Sequence, residues 1–122
     1  MAKRLLIIED DPDILEILNL IFHHEGYVVI LSVTDEASYH LPEIMPDLIL
    51  LDIRLQNSGQ NGIAICTRLK SQPATKDLPV LLLSAEKGLA ELCRSCGADG
   101  WISKPFDITR LTHTVQHFIH RI

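Results

Sequence analysis

The sequence lacks the features that would place it in a membrane or a disulfide framework. Its longest uninterrupted apolar run, residues 27–31, is far shorter than the ~20 residues that cross a bilayer, so we expect no membrane insertion. Three cysteines, an odd and sparse set, do not form the even disulfide framework of a small secreted domain. A reducing cytoplasm is therefore the simpler location.

Positive charge is also scarce. Eleven Lys and Arg residues against sixteen Asp and Glu residues give a formal net charge of -5, the wrong sign for neutralising a phosphate backbone. Direct nucleic-acid binding is disfavoured. Glu9 interrupts the N-terminal segment before an apolar stretch of signal-peptide length is complete. This also predicts a cytoplasmic protein.

The length and composition predict one globular domain over residues 1–122. A chain of 122 residues with 47% hydrophobic and 22% charged residues has room for one hydrophobic core and no second module. No internal repeat, low-complexity tract or linker interrupts it.

Four short apolar runs predict a parallel sheet. They are nearly continuous rather than alternating, as in strands covered on both faces, and a weaker fifth candidate follows near the C-terminus. Segments with helical spacing separate them, which favours an α/β fold with right-handed crossovers. The five candidate strands are residues 5–8, 27–31, 48–51, 80–83 and 100–103.

Helix signals lie between these runs. Asp11 and Pro12 mark the start of a first helix and Gly26 its end; a last helix begins near Asp107. Three more helices are expected at residues 34–44, 62–71 and 89–96. The predicted buried stripes are Ile14, Ile17, Leu18 and Ile21 in the first helix, and Ile108, Leu111, Val115, Phe118, Ile119 and Ile122 in the last.

Polar residues follow the apolar runs, where an open parallel sheet binds its ligands. Carboxylates in such a cluster repel each other unless a hard cation such as Mg²⁺ lies among them. An aspartate there can attack a phosphoryl group while a fixed cation neutralises the transferring oxygens. Taken singly, each residue fits a helix cap or a turn; together they favour this chemistry. The residues are Glu9, Asp10, Asp11, Asp52, Ser84 and Lys104.

The blocks LLIIEDDPDIL, PDLILLDIRL, LPVLLLSA and GADGWISKPF resemble, in order, the signature blocks of the response-regulator receiver domain. The resemblance covers the whole chain. It implies a doubly wound α/β domain whose five-stranded parallel sheet has the order 2-1-3-4-5 and carries five helices, as in flavodoxin-like proteins.

The resemblance also implies roles for individual residues. Mg²⁺ is the expected cofactor, for which Mn²⁺ can substitute. Of the acidic pair Glu9 and Asp10, Asp10 is expected to bind the metal directly. The matching positions are the phosphoacceptor Asp52; the metal ligands Glu9, Asp10, Asp52 and the backbone carbonyl of Arg54; the phosphoryl-contact and switch residues Ser84, Trp101 and Lys104; and Pro105 after a cis peptide bond.

The chain departs from the family pattern after the phosphoacceptor. Gln56 stands where receivers usually have proline, and Gly62 comes two positions late, so the loop is longer and is expected to be looser. Trp101 is bulkier than the usual Tyr or Phe. These differences affect the geometry of the Arg54 carbonyl and the switch step more than the identity of Asp52.

The function predicted from these features is a phosphorelay receiver that changes partner binding and is a signalling switch rather than an enzyme. The expected partners are a histidine kinase or histidine phosphotransfer protein and an unknown downstream protein; the resemblance allows a homodimer. The alternative is a degenerate receiver that docks proteins without phosphorylation. Two other functions fit less well. A phosphohydrolase with an aspartate nucleophile would have a second acid at the position of Arg54. In a flavin-binding module of the same topology, Glu9, Asp10 and Asp11 would repel the flavin phosphate.

Three further patterns carry weaker hypotheses. Arg54 and Glu86 have opposite charges two residues past Asp52 and Ser84, and we expect them to pair across the mouth of the site and slow water's access. The cysteines of CRSC are expected to be buried or half-buried thiols on a short helix rather than a redox or zinc site, and Cys66 is expected in the core. The three histidines of the last helix are expected to form a solvated face: His113, His117 and His120.

Overall fold

The computed structural model describes residues 2–56 and 58–120. Strands and helices alternate along the chain. The strands are β1 Arg4–Ile8, β2 Val28–Ser32, β3 Leu48–Asp52, β4 Val80–Ser84 and β5 Gly100–Ser103. The helices are α1 Pro12–His24, the 3₁₀ helix Asp35–Tyr39, α2 Leu41–Ile44, α3 Gly62–Ser71, α4 Leu89–Cys96 and α5 Ile108–Ile119.

The five strands form one parallel sheet in the order β2-β1-β3-β4-β5, which confirms the predicted fold. β1 pairs with both β2 and β3, so the strand order reverses direction beside it. A doubly wound sheet binds ligands at such a switch point, beyond the carboxyl ends of its strands. The fold therefore places the predicted polar residues at its binding edge.

Apolar side chains cover both faces of the sheet. Leu6 and Ile8 of β1 point into a core shared with α3 and α4, whereas Leu5 and Ile7 point into a second core shared with α1 and α5. Because successive side chains of a strand point to opposite faces, the continuous run of β1 supplies both cores. β3 and β4 are buried along their whole length.

β2 is an exception to the expectation that every strand is covered on both faces. It lies at the edge of the sheet, and Val28 and Leu31 are 41% and 40% exposed. The helix expected at residues 34–44 is also different: it is a 3₁₀ helix followed by the single turn of α2. Pro42 fits the break, because proline has no backbone N–H to continue the hydrogen bonds of the preceding turn and is tolerated in the first turn of a helix.

The buried stripes of the long helices differ in part from the predicted ones. In α1 the buried residues are Leu15, Leu18 and Phe22, whereas Ile17 is 48% exposed. In α5, Ile108 is 56% exposed at the first turn, and Ile122 lies outside the described residues. A helical stripe wider than its contact surface leaves apolar residues at its margins, which periodicity alone does not identify.

The expected bounds of two helices are confirmed. α3 and α4 have the predicted bounds. Within residues 2–56 and 58–120, no helix has the length and apolar character needed to span a membrane.

Gly62 allows the start of α3 to approach the end of β3. A Cβ atom at this position would lie 2.3 Å from the Asp52 carbonyl oxygen and 2.7 Å from the Ile53 Cα. The Gly62 amide also donates to the Ile53 carbonyl at 2.8 Å. Backbone atoms on both sides leave no flexible group to yield.

We expect Gly62→Ala to lower the free energy of unfolding by about 3 kcal/mol, the upper range for overpacking, although alanine has the higher helix propensity. Urea denaturation measures the change. Gly59→Ala is the matched control, because its Cβ would meet nothing closer than 3.4 Å. Equal stabilities for the two variants would contradict the close approach.

Candidate functional site

A cleft of about 410 Å³ opens at the carboxyl edge of the sheet. The strand register builds it: Ile8 pairs with Leu51, so the residues that follow them, Glu9 and Asp52, lie side by side. Its lining residues are Glu9, Asp10, Asp11, Ile14, Asp52, Arg54, Gln56, Ser84, Ala85, Glu86 and Lys104.

Three carboxylates meet in this cleft. One oxygen from each of Glu9, Asp10 and Asp52 lies within 4.8 Å of the other two. Glu9 is fully buried and Asp52 is 4% exposed, while Asp10 is half-buried. Glu9 Oε2 is buried, and its partner among the described residues is the ion pair with Lys104. Oxygen donors at this spacing fit Mg²⁺, which prefers carboxylates and water.

Lys104 is the cation beside these acids. Its Nζ lies 3.0 Å from Glu9 Oε2 and 3.6 Å from Asp52 Oδ1. The Lys104 backbone amide donates to the Ser84 carbonyl at 2.8 Å, and the Lys104–Pro105 peptide bond is cis. One ammonium charge compensates only part of the negative charge that three ionised carboxylates carry.

The surroundings of Asp52 disfavour its ionised form. Burial, followed by the charge and hydrogen bonding of Glu9, raises the pKa of Asp52 from 3.8 to about 8, against the opposing effects of Lys104 and the Arg54 amide. The Arg54 N–H donates to Asp52 Oδ1 at 3.3 Å. Asp52 is therefore an acid whose ionised form needs a further positive charge.

Ser84 and Trp101 take different positions relative to the cleft. Ser84 ends β4 inside it, and its Oγ accepts the Glu86 amide at 2.9 Å. Trp101 is 45% exposed and lines a separate cavity of about 430 Å³ with Pro105 and Phe106. The structure thus brings Ser84 to the acids and leaves the predicted switch aromatic outside.

Two contacts at the rim involve the loop after β3. Arg54 Nε donates to Glu86 Oε1 at 2.6 Å, forming the ion pair predicted from the sequence. The Gln56 amide donates to Asp10 Oδ2 at 2.9 Å, which the sequence analysis missed. The sequence feature that could have indicated this hydrogen bond is Gln56 in place of the usual proline, because proline has no backbone N–H to donate. The role of the Arg54 carbonyl stays a prediction.

The remaining candidates have structural positions. Asp11 caps α1 by accepting the Asp13 and Ile14 amides at 2.9 and 3.4 Å. Cys66, Cys93 and Cys96 are buried free thiols, and burial raises the pKa of Cys93 to about 11. His113, His117 and His120 are exposed. Within the described part of the chain, only the acidic triad has the spacing of a metal site.

Comparison with known proteins gives the same architecture. The family model for the response regulator receiver domain matches residues 5–116. A phosphate regulon transcriptional regulatory protein, PhoB of Rhizobium meliloti, is 33% identical over 99% of this chain and 54% of its own length. The chain spans about half the length of the curated relatives it matches.

Solved structures agree. A response regulator from Chloroflexus aurantiacus, described as putative in its structure report, superposes with a TM-score of 0.90 at 30% identity and covers 99% of this chain and 100% of its own. The receiver domain of sensor histidine kinase PA1611 from Pseudomonas aeruginosa, which holds magnesium in its active-site cleft, shares the fold with a TM-score of 0.87 at 24% identity, over 99% of this chain and 100% of its own.

The sheet order, the acidic edge and the family match over residues 5–116 agree with one another. This chain belongs to the response regulator receiver domain family.

Proposed function

We propose that this receiver accepts a phosphoryl group on Asp52 in a Mg²⁺-dependent reaction and thereby changes its affinity for a protein partner. One observation carries the proposal: Asp52 is buried between a second acid and a lysine at the mouth of a cleft. A buried carboxylate held beside a second carboxylate is costly, so its position supports a chemical role.

The acidic triad is the proposed metal site. Glu9, Asp10 and Asp52 would hold Mg²⁺ directly or through water, with the Arg54 carbonyl as a further oxygen ligand. The bound ion would supply the positive charge that Lys104 alone does not, both for ionised Asp52 and for the phosphoryl oxygens. The magnesium ion in the Pseudomonas aeruginosa receiver supports this assignment by analogy of fold.

In the proposed transfer, a carboxylate oxygen of Asp52 attacks the phosphorus of a phosphohistidine. The new O–P bond forms as the P–N bond breaks, and the leaving imidazole keeps the bonding electron pair and takes up a proton. Lys104 and Ser84 lie in the same cleft, where their ammonium and hydroxyl groups would contact the transferred phosphoryl oxygens. Hydrolysis of the acyl phosphate would return Asp52 to its starting state.

The proposed donor is a histidine kinase or a histidine phosphotransfer protein, and the downstream protein is unknown. Phosphorylation would act by shifting the population between two conformations, with Ser84 and Trp101 as the switch pair. A single domain over residues 1–122, a cytoplasmic location and a homodimer all stay predictions.

A receiver that only docks proteins, without phosphorylation, is the second candidate. Trp101, exposed beside its own cavity, is the observation that favours it. The buried Asp52 favours phosphorylation instead, because a docking module has no use for an acid whose pKa is raised by burial.

We expect the wild-type protein to gain one phosphoryl group from acetyl phosphate and Mg²⁺, and Asp52→Asn to gain none, because an amide lacks the nucleophilic carboxylate. Intact-mass spectrometry measures both, with a chelator as the metal control. Asp11→Asn is the matched variant: asparagine also caps helices, so it should be phosphorylated like the wild type. An adduct that persists in Asp52→Asn would contradict the assignment.

We expect Asp52→Asn to be more stable than the wild type at pH 8 without metal. The difference between a pKa of 3.8 and one of about 8, at about 1.4 kcal/mol per pKa unit, sets an upper limit of about 5 kcal/mol on the gain. Because the folded pKa of Asp52 is raised from 3.8 to about 8, ionisation removes wild-type stability as the pH rises between those values. Urea denaturation from pH 4 to 8 measures the difference.

The same titration with Mg²⁺ provides the complementary test. Added Mg²⁺ should stabilise the wild type more than Asp52→Asn, because the ion neutralises the repulsion that the amide lacks. Asp11→Asn should follow the wild type. A wild type whose stability does not change between pH 4 and 8 would argue against a repulsive carboxylate pair.

Both partners of the Arg54–Glu86 ion pair line the cleft, and we expect the pair to slow the access of water to the acyl phosphate. The double variant Arg54→Ala, Glu86→Ala should shorten the lifetime of the phosphorylated form about threefold, a modest change because exposed ion pairs contribute less than about 1 kcal/mol. Loss of the phosphoryl group after removal of the donor measures it. An unchanged lifetime would refute the gating role.

A further inference from the structure

The loop between β3 and α3, which is longer than in most receivers, is held at two places. On the side facing the acidic triad, the backbone amide of Gln56 donates to Asp10 Oδ2 at 2.9 Å. On the outer side, Ser58 and Gln60 bind a residue from the 3₁₀ helix after β2. Gln56 and Ser58 are two positions apart in the sequence, so their Cα atoms are at most about 7 Å apart and the two anchors hold neighbouring parts of the loop.

Asp35 is the outer anchor. It is 8% exposed, and its Oδ2 accepts the Gln60 amide at 3.2 Å. Its own backbone amide donates to the Ser58 hydroxyl at 3.0 Å. Between these two contacts, a Cβ at Gly59 would lie 3.4 Å from Asp35 Oδ2. Asp35 therefore contacts the loop on both sides of Gly59, and one of the groups that its carboxylate binds is a backbone amide of the loop.

A second group of side chains closes around this anchor. The Tyr39 hydroxyl lies 3.1 Å from Asp35 Oδ2 and 3.3 Å from Gln60 Oε1. Arg68 of α3 stacks over the Tyr39 ring at 4.3 Å and donates to Gln60 Oε1 at 3.0 Å and to the Ser38 hydroxyl at 2.6 Å. The 3₁₀ helix, the loop and α3 are thus joined through polar contacts.

These contacts give Asp35 an influence on the triad although it lines no part of the cleft. Three backbone amides of this segment donate to carboxylates: Arg54 to Asp52, Gln56 to Asp10 and Gln60 to Asp35. If the outer anchor is removed, the segment that orients both carboxylates loses its support. Groups that orient metal ligands strongly affect metal affinity.

We propose that Asp35 is a positioning residue for the metal site: it fixes residues 58–60 of the extended loop, and through them the backbone amides that orient Asp10 and Asp52 for Mg²⁺. The proposal rests on the proposed function, because it assumes that the acidic triad binds this ion.

Two measurements on purified protein test the role. Asp35→Ala should weaken Mg²⁺ binding, measured by titration calorimetry, roughly 10-fold, the lower end of the loss typical for groups that orient ligands. In metal-free protein, the amides of residues 54–56 and 58–60 should exchange hydrogen about fivefold faster, as expected when one average hydrogen bond is lost. Asp35→Asn keeps an acceptor oxygen for the Gln60 amide and should restore most of both properties.

Asp47→Ala is the matched control. The Asp47 carboxylate also accepts a backbone amide, that of Arg4 at 2.7 Å, but it precedes β3 at the opposite edge of the sheet. This variant should be destabilised without a change in Mg²⁺ affinity or in exchange of the loop. If Asp35→Ala does not fold, the double variant Tyr39→Phe, Ser58→Ala removes two hydroxyl contacts and should shift both measurements in the same direction.

The outcomes separate the two proposals. A wild type that binds no Mg²⁺ overturns the metal site and this role with it. A wild type that binds Mg²⁺ while Asp35→Ala binds it equally well overturns the role of Asp35 alone. Faster exchange in the loop with unchanged Mg²⁺ affinity also overturns it, because the loop would then be anchored without positioning the ligands.

Discussion

The crowding of three carboxylates at one sheet edge is the constraint on which the rest of this structure depends. Glu9 and Asp52 are nearly inaccessible to water, so their charges are poorly screened, and the charge of Glu9 disfavours ionisation of Asp52. Lys104 relieves part of this repulsion from 3.0 and 3.6 Å. The protein stores an unfavourable interaction that a divalent cation can convert into a favourable one.

The sheet maintains this arrangement because its core cannot easily deform. Every residue of β3 and β4 is buried, and the strand register fixes the ends at which Asp52 and Ser84 emerge. Packed interiors resist displacement, since small shifts sacrifice many contacts. At the same edge, Gly62 lets α3 approach the Asp52 backbone closely, so both the sheet and α3 hold Asp52 in place.

Sequence reasoning worked where local patterns and chain order decide the outcome. Continuous apolar runs identified buried strands, and the residues after them include all three acids of the triad. It was less successful where neighbours decide. Val28 is exposed because β2 is an edge strand, and Ile17 because α1 buries a neighbouring stripe. The periodicity of apolar residues shows neither which strand lies at the edge of the sheet nor how wide the contact surface of a helix is.

The loop after β3 shows why the sequence could not predict the whole site. Its extra length suggested looseness, because a longer loop has more conformational entropy to lose on ordering. The structure offsets that cost with partners distant in sequence: Asp35 lies 25 residues before Gln60, and Asp10 lies 46 residues before Gln56. Neither acid has a local pattern that announces the contact. The longer loop beside Asp52 is ordered because acids from other segments bind its backbone amides. The role of such polar residues outside the signature blocks is visible only in the folded structure.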